Sequence, residues 1–192
     1  SVLDVKRGDI GSTMAGYAQA YLSDDAPTAA DAITVSPYLG YGSLTPALNL
    51  AEANGRGVFV LALTSNPEGA GVQHAVNGDQ AVAAGIVEGV TASNAQASGE
   101  GRLGSIGLVI GATVGGAVSD LGIDLQRANG PLLAPGVGAQ GAGPAELEAV
   151  FGTARRQVLA STSRGVLKAG PSIEALRTAA LAATHEAATA LR

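Results

Sequence analysis

The sequence predicts an α/β protein whose strands lie parallel. Short aliphatic and β-branched runs alternate along the chain with longer Ala-rich segments of helical character, and six such units follow one another without a change of composition. Aromatic residues make up only 3% of the chain while glycine occurs 28 times, so the core must be packed from Ala, Val, Leu and Ile with close helix–sheet contacts. Helices interposed between buried strands imply crossover connections, which parallel neighbours require.

The strand-like runs are 2–6, 32–35, 57–63, 105–110, 132–135 and 157–161, and helical segments fall at about 12–23, 43–54, 79–98, 114–121, 144–152 and 171–191. Ser43 and Pro171-Ser172 read as helix starts and Asn54-Gly55 as a stop. The glycine-rich stretch 98–104 reads as an exposed loop. Two architectures fit this alternation: an open doubly wound sheet and a closed (β/α)8 barrel. A barrel needs eight units in about 250 residues, whereas this chain offers six in 192. The chain opens at Ser1 already inside a strand pattern and without Met, so two further βα units are expected upstream. Residues 1–192 then form a single barrel domain that is incomplete at its N-terminal side.

A hydrophobic fraction of 46% supplies a sizeable core, and the net charge of −5, with no Lys/Arg stripe interleaved with aromatics, argues against nucleic acid as a partner. The absence of cysteine excludes disulfides and thiolate metal sites. No leader and no apolar run of about 18 residues is present, so the reading is a cytoplasmic protein without a membrane partner.

The first strand carries the chemistry. Residues two apart on a strand share a face, so Asp4 and Lys6 project together while Val5 points into the layer between sheet and helices. Inward-facing charges on a parallel strand are costly unless paired. Such a pair belongs either to a structural ion pair or to a site at the C-terminal end of the strand, where parallel-sheet enzymes keep their chemistry. Spacing alone leaves both open.

The longer string Asp4-Val5-Lys6-Arg7-Gly8-Asp9-Ile10-Gly11-Ser12-Thr13 closely resembles the Asp-x-Lys-x-x-Asp-Ile-x-x-Thr signature of the orotidine 5′-phosphate decarboxylase family, and in particular its longer bacterial variety. The resemblance runs from that family's third barrel strand to its last helix. The segment from Asp31 to Gly40 looks like its fourth strand, that from Leu61 to Gly69 like its fifth, and Leu108-Val109-Ile110-Gly111-Ala112-Thr113 like its sixth. Pro135-Gly136-Val137-Gly138-Ala139-Gln140-Gly141 resembles the phosphate loop of the seventh strand, and Thr162-Ser163-Arg164-Gly165 the end of the eighth.

The resemblance implies a (β/α)8 barrel and an obligate homodimer with shared sites. Asp4 and Lys6 would serve their own subunit's pocket, and Asp9 and Thr13 would reach the neighbour's. Either Thr64 or Ser65 would contact the pyrimidine. Gln140 and Arg164 would hold the phosphate. Ser163 stands where the family has glycine, and its backbone N–H would still serve. The family's first two strands supply an Asp and a Lys to the ribosyl part of the substrate, and no segment of this sequence matches them.

The implied reaction converts orotidine 5′-phosphate to UMP and carbon dioxide, the last step of de novo UMP synthesis, without a cofactor or metal. Lys6 would face the carbanion left at C6 and then protonate it, with Asp4 and the neighbour's Asp9 holding it in place. Two alternatives go with this reading: a magnesium-dependent sugar-phosphate decarboxylase on the same barrel with a similar Asp-x-Lys-x-x-Asp string, and a non-catalytic barrel fragment.

Other features read as structural. Gly136-x-Gly138-x-x-Gly141 mimics a dinucleotide fingerprint, but no acidic residue closes the following strand. His74 and His185 have no partner at metal spacing. Glu146 and Glu148 follow Pro144 at a helix start, where the dipole favours acids. Asp24-Asp25 reads as a solvated turn. Tyr17 and Tyr21, four apart, read as one packing face.

Overall fold

In the computed structural model, residues 1–137 and 142–192 are described. Six strands, β1 (Val2–Arg7), β2 (Ala32–Val35), β3 (Gly57–Leu63), β4 (Ile106–Ile110), β5 (Leu132–Pro135) and β6 (Val158–Ser161), form one sheet. Every strand pairs in parallel with the next one in the chain, so the order is sequential from edge to edge. A doubly wound sheet reverses its order at a switch point. This one does not reverse, and successive crossovers of one hand then place the helices between strands on the same face. That is the winding of a (β/α)8 barrel, and the sheet curls accordingly into part of one.

Burial follows the two-residue period of the strands. Ile33 and Val35, Val58 and Val60, Ile106, Leu108 and Ile110, and Leu132 and Ala134 face the helices. There they meet Met14, Ala18 and Leu22 of α1 (Gly11–Leu22), Ala47 and Ala51 of α2 (Thr45–Ala53), Ile86, Val87 and Val90 of α3 (Val82–Ser93), and Leu147, Val150 and Phe151 of α4 (Pro144–Phe151). The alternate residues form a separate small cluster, Ala32, Phe59 and Val109 with Leu61 and Leu133, on the inner face. The last helix, α5 (Ile173–Ala190), is capped by Ser172, whose Oγ accepts from the Ala175 N–H at 3.4 Å.

The predicted elements and the structure differ in two informative places. The helix expected over 79–98 breaks after Ser93. Asn94, only 2% exposed, turns its amide into the sheet base, donating to the Ile106 carbonyl at 2.7 Å and the Ala128 carbonyl at 2.8 Å. Gly104 and Gly130 clear the space: a Cβ at either would lie 2.1 Å from Asn94 Oδ1 or 2.0 Å from the Ile106 oxygen. The helix expected over 114–121 shrinks to one turn, Ala117–Asp120, because Gly115 and Gly122 both take left-handed conformations (φ +60° and +64°) on either side of it. Ser43 lies inside a 3-10 turn, Tyr41–Leu44, ahead of α2. Asp24 is less free than a solvated turn implies, since Arg56 binds its carboxylate at 2.8 Å. Tyr17 and Tyr21 do pack against the core. Among the described residues no helix is long and apolar enough to cross a membrane.

Asn94 joins α3, β4 and the loop before β5 through one side chain, so Asn94→Ala should lower the unfolding free energy by about 2–3 kcal/mol, the effect of orphaning buried carbonyls. A chemical-denaturation midpoint equal to that of the unaltered chain would contradict this.

Candidate functional site

The inner face of the sheet opens, at the C-terminal ends of the strands, into a cleft of about 510 Å³. Its walls include Asp4 and Lys6 from β1, Leu61 from β3, Val109 from β4, Leu133 and Pro135 from β5 and Ser161 from β6, with Thr64, Ser65, Asn66 and Ser163 at the rim. Of the expected site residues, the fold therefore brings Asp4, Lys6, Thr64, Ser65 and Ser163 to one place.

The end of β1 is not regular strand. Four residue steps from Leu3 to Arg7 pair across only two steps of β2, from Ile33 to Val35, so β1 bulges. Within the bulge Lys6 adopts φ +46°, a left-handed conformation that disfavours any side chain with a Cβ. The Lys6 N–H is drawn off the strand ladder and donates to Thr34 Oγ1 at 3.0 Å. The Thr34 hydroxyl in turn donates to Asp4 Oδ1 at 2.8 Å, and Lys6 Nζ donates to Asp4 Oδ2. Both oxygens of the carboxylate are thus held, and one lysine is bound at its backbone and at its tip within the same closed circuit.

Beyond the bulge the chain runs against β2. Arg7 accepts the Ser36 N–H at 2.7 Å, and Gly8 passes so close that a Cβ there would lie 2.4 Å from the Ser36 carbonyl oxygen. This is why glycine stands between the Lys and the second Asp. Asp9 then accepts the Ile10 N–H at 2.8 Å through Oδ1. Neither it nor Thr13, exposed in the first turns of α1, lines the cleft formed by its own chain. Arg7 stacks over the Tyr17 ring, its guanidinium carbon 5.5 Å from the centroid.

On the opposite rim, Thr64 follows β3 and is held by Gln73. Gln73 Oε1 accepts the Thr64 N–H at 3.0 Å and its Nε2 donates to Thr64 Oγ1 at 2.7 Å. The Thr64 hydroxyl donates onward to Asn66 Oδ1 at 2.7 Å. Gly69 allows this arrangement, since a Cβ there would approach Thr64 Oγ1 to 2.8 Å. Ser163 reaches the cleft at the start of the turn Arg164–Leu167, and Arg164 itself is exposed, outside the cleft lining, its guanidinium without a hydrogen bond or ion pair to a described residue. Gln140 lies outside the described residues. Thr34, Gln73 and Asn66 were not anticipated as members of the site. The available signal for Thr34 was a lone hydroxyl in the aliphatic run Ala32-Ile33-Thr34-Val35, on the same alternate face as Ala32.

The electrostatics of Asp4 run in two directions. Partial burial pushes its carboxyl up, but the hydrogen bonds from Lys6 and Thr34 and the Lys6 charge outweigh this and hold it below the usual carboxylate range. Because the folded value lies below the unfolded one, the stability that Asp4 contributes is present above the unfolded value of about 3.9 and is lost as pH falls through the folded value. The stability difference between the unaltered chain and Asp4→Asn should therefore hold steady at neutral pH and shrink on acidification below about pH 4. A difference independent of pH down to the acid transition would contradict the assignment.

Comparison with known proteins bears directly on this geometry. The model of the orotidine 5′-phosphate decarboxylase / HUMPS family matches residues 1–179. An orotidine 5′-phosphate decarboxylase of Streptomyces coelicolor is 61% identical over 181 residues, which is 93% of this chain and 62% of the relative. A crystal structure from Streptomyces avermitilis, provisionally named orotidine 5′-phosphate decarboxylase, superimposes with a TM-score of 0.91 at 58% identity, covering 99% of this chain and 65% of that one. An OMP decarboxylase of Leishmania donovani superimposes at 0.74 with 29% identity, over 100% of this chain and 68% of that one. The chain thus spans about three fifths of the length of its Streptomyces coelicolor relative. By sequence over nearly its whole length, and by the fold that carries Asp4 and Lys6 into one cleft, the chain belongs to the orotidine 5′-phosphate decarboxylase / HUMPS family.

Proposed function

We propose that this chain carries the decarboxylating site of an orotidine 5′-phosphate decarboxylase, forming UMP and carbon dioxide from orotidine 5′-phosphate. The observation that carries the reading is the paired Asp4 and Lys6, two inward charges fixed in a cleft at the C-terminal ends of the strands in a member of this family.

In the proposed reaction the bond between C6 and the substrate carboxylate breaks, carbon dioxide leaves, and the electron pair stays on C6. The Lys6 ammonium lies beside that carbon, stabilises the developing charge as a fixed cation, and transfers a proton from Nζ to C6. Asp4 orients Lys6 and crowds the departing carboxylate. Preorganisation matters because a charge already in position need not reorganise as the transition state forms. The protein groups supply this stabilisation themselves, with no cofactor or metal.

The remaining roles follow the same reading. Asp9 and Thr13, turned away from their own cleft, would serve that of a neighbouring subunit in a homodimer. Thr64 or Ser65 would bind the pyrimidine. Gln140, the Ser163 N–H and Arg164 would bind the phosphate, with the exposed Arg164 fork suited to a dianion. Binding energy realised at the phosphate, remote from C6, can serve the chemical step. We read residues 1–192 as one (β/α) barrel domain acting in the cytoplasm, with no nucleic acid or membrane as partner.

Lys6→Ala should lower kcat for release of UMP by at least about 1000-fold, the scale of losing a transition-state charge stabiliser, while UMP binding persists by calorimetry. Near-normal turnover would overturn the assignment. Arg164→Ala should raise KM by about 10- to 100-fold with a smaller change in kcat, the equivalent of a charge-assisted hydrogen bond lost from binding. An unchanged KM would remove Arg164 from the phosphate site.

A further inference from the structure

We propose that Thr34 is a positioning residue for the decarboxylation, acting through Asp4 and Lys6 without touching the substrate; the inference rests on the function proposed above. Thr34 is fully buried, one of two buried polar residues among those described, and it occupies an inner-face position in a strand whose other residues are Ala, Ile and Val. A buried hydroxyl is costly unless it is hydrogen-bonded, and it has a donor and an acceptor to use. Here both are used on the same pair of residues. Its oxygen accepts the Lys6 N–H at 3.0 Å and its proton goes to Asp4 Oδ1 at 2.8 Å.

Three consequences follow from that geometry. First, Thr34 provides the acceptor that lets Lys6 leave the strand ladder, so it stabilises the left-handed backbone on which the direction of the lysine depends. Second, with Oδ1 held by Thr34 and Oδ2 by Lys6, the carboxylate cannot turn about its Cβ–Cγ bond without breaking a hydrogen bond. Third, donors arranged in series polarise one another, so the bond from Thr34 to Asp4 is strengthened by the one it accepts from Lys6. A lysine tethered only at its tip would sweep the long arc of a four-carbon chain. Tied at backbone and tip through one hydroxyl, it is confined to a small region of the cleft. Thr is the suitable residue, since its β-branch favours the strand and limits the rotamers of the hydroxyl.

The test uses Thr34→Val, which keeps shape and removes the hydroxyl, beside Thr34→Ser, which keeps the hydroxyl, both in the full chain. Thr34→Val should lower kcat by about 10- to 100-fold, the usual effect of removing a supporting partner, with KM little changed, and Thr34→Ser should restore most of it. Unchanged kcat in Thr34→Val, or equal losses in the two variants, would overturn the proposal. If Thr34→Val fails to unfold cooperatively, Thr34→Cys replaces it, since a thiol matches serine in size but bonds weakly. Its kcat must then fall below that of Thr34→Ser, and equality would overturn the proposal.

A second readout does not need turnover. The carbon-detected titration of the Asp4 carboxyl should move upward in Thr34→Val, because a hydrogen bond to the ionised form is lost. Lys6 is the only other titratable group among the residues lining the cleft, so the displacement reports on this circuit. If the unaltered chain releases no carbon dioxide yet the titration moves, the functional reading fails and the positioning stands. A titration that does not move sinks the positioning whatever the activity.

Discussion

Two opposite charges on the inner face of a parallel sheet impose the constraint around which the site is organised. A charge buried alone on such a face would be expensive, and here Asp4 and Lys6 meet. Yet the pair is half open to solvent, with side chains 60% and 52% exposed, and exposed ion pairs contribute only about 0–1 kcal/mol. Against that stands a lysine in a left-handed conformation, which costs about 1–3 kcal/mol. The ion pair by itself does not offset the torsion. The pair is therefore poorly explained as a stabilising device and well explained as one that points an ammonium into a cleft.

The fold meets that local deficit elsewhere. The face of the sheet turned toward the helices is closed by a continuous aliphatic cluster, so the strands are fixed from behind while their inner face stays available. Asn94 locks the lower end of β4 and the loop before β5, and Gly104 and Gly130 give it room. At the upper end Gly8 lets β1 press against Ser36, and Gly69 lets Gln73 grip Thr64. Rigid supports at both ends of the strands are what allow a bulge at the end of β1 to hold one geometry.

Much of this was legible in the sequence. The six strands match the aliphatic runs to within a residue at each end, because buried parallel strands read as uninterrupted apolar stretches. Spacing alone correctly put Asp4 and Lys6 together, with Val5 on the other side. What it could not reveal was the bulge. Two-residue periodicity assumes a regular strand, whereas the left-handed torsion at Lys6 and its bond to Thr34 depend on register with a strand nearly thirty residues away. Asn94 escaped for a similar reason: in an Ala-rich run it looks like a helical residue, and its partners at Ile106 and Ala128 are distant in sequence. Periodicity alone left the choice between doubly wound and barrel winding open; the resemblance chose the barrel, and the sequential strand order bears it out.

The torsion at Lys6 has an evolutionary consequence. At φ +46° the backbone would be better served by Gly or Asn, the residues that visit this region readily. Either replacement would relieve strain and discard the ammonium, so on the proposed mechanism a more durable protein and a working one are different sequences at this single position. On the proposed mechanism, selection for persistence alone would drift away from lysine here, and selection for turnover would retain it. On that reading the conflict between stability and activity, usually spread over many sites, is concentrated in one backbone angle.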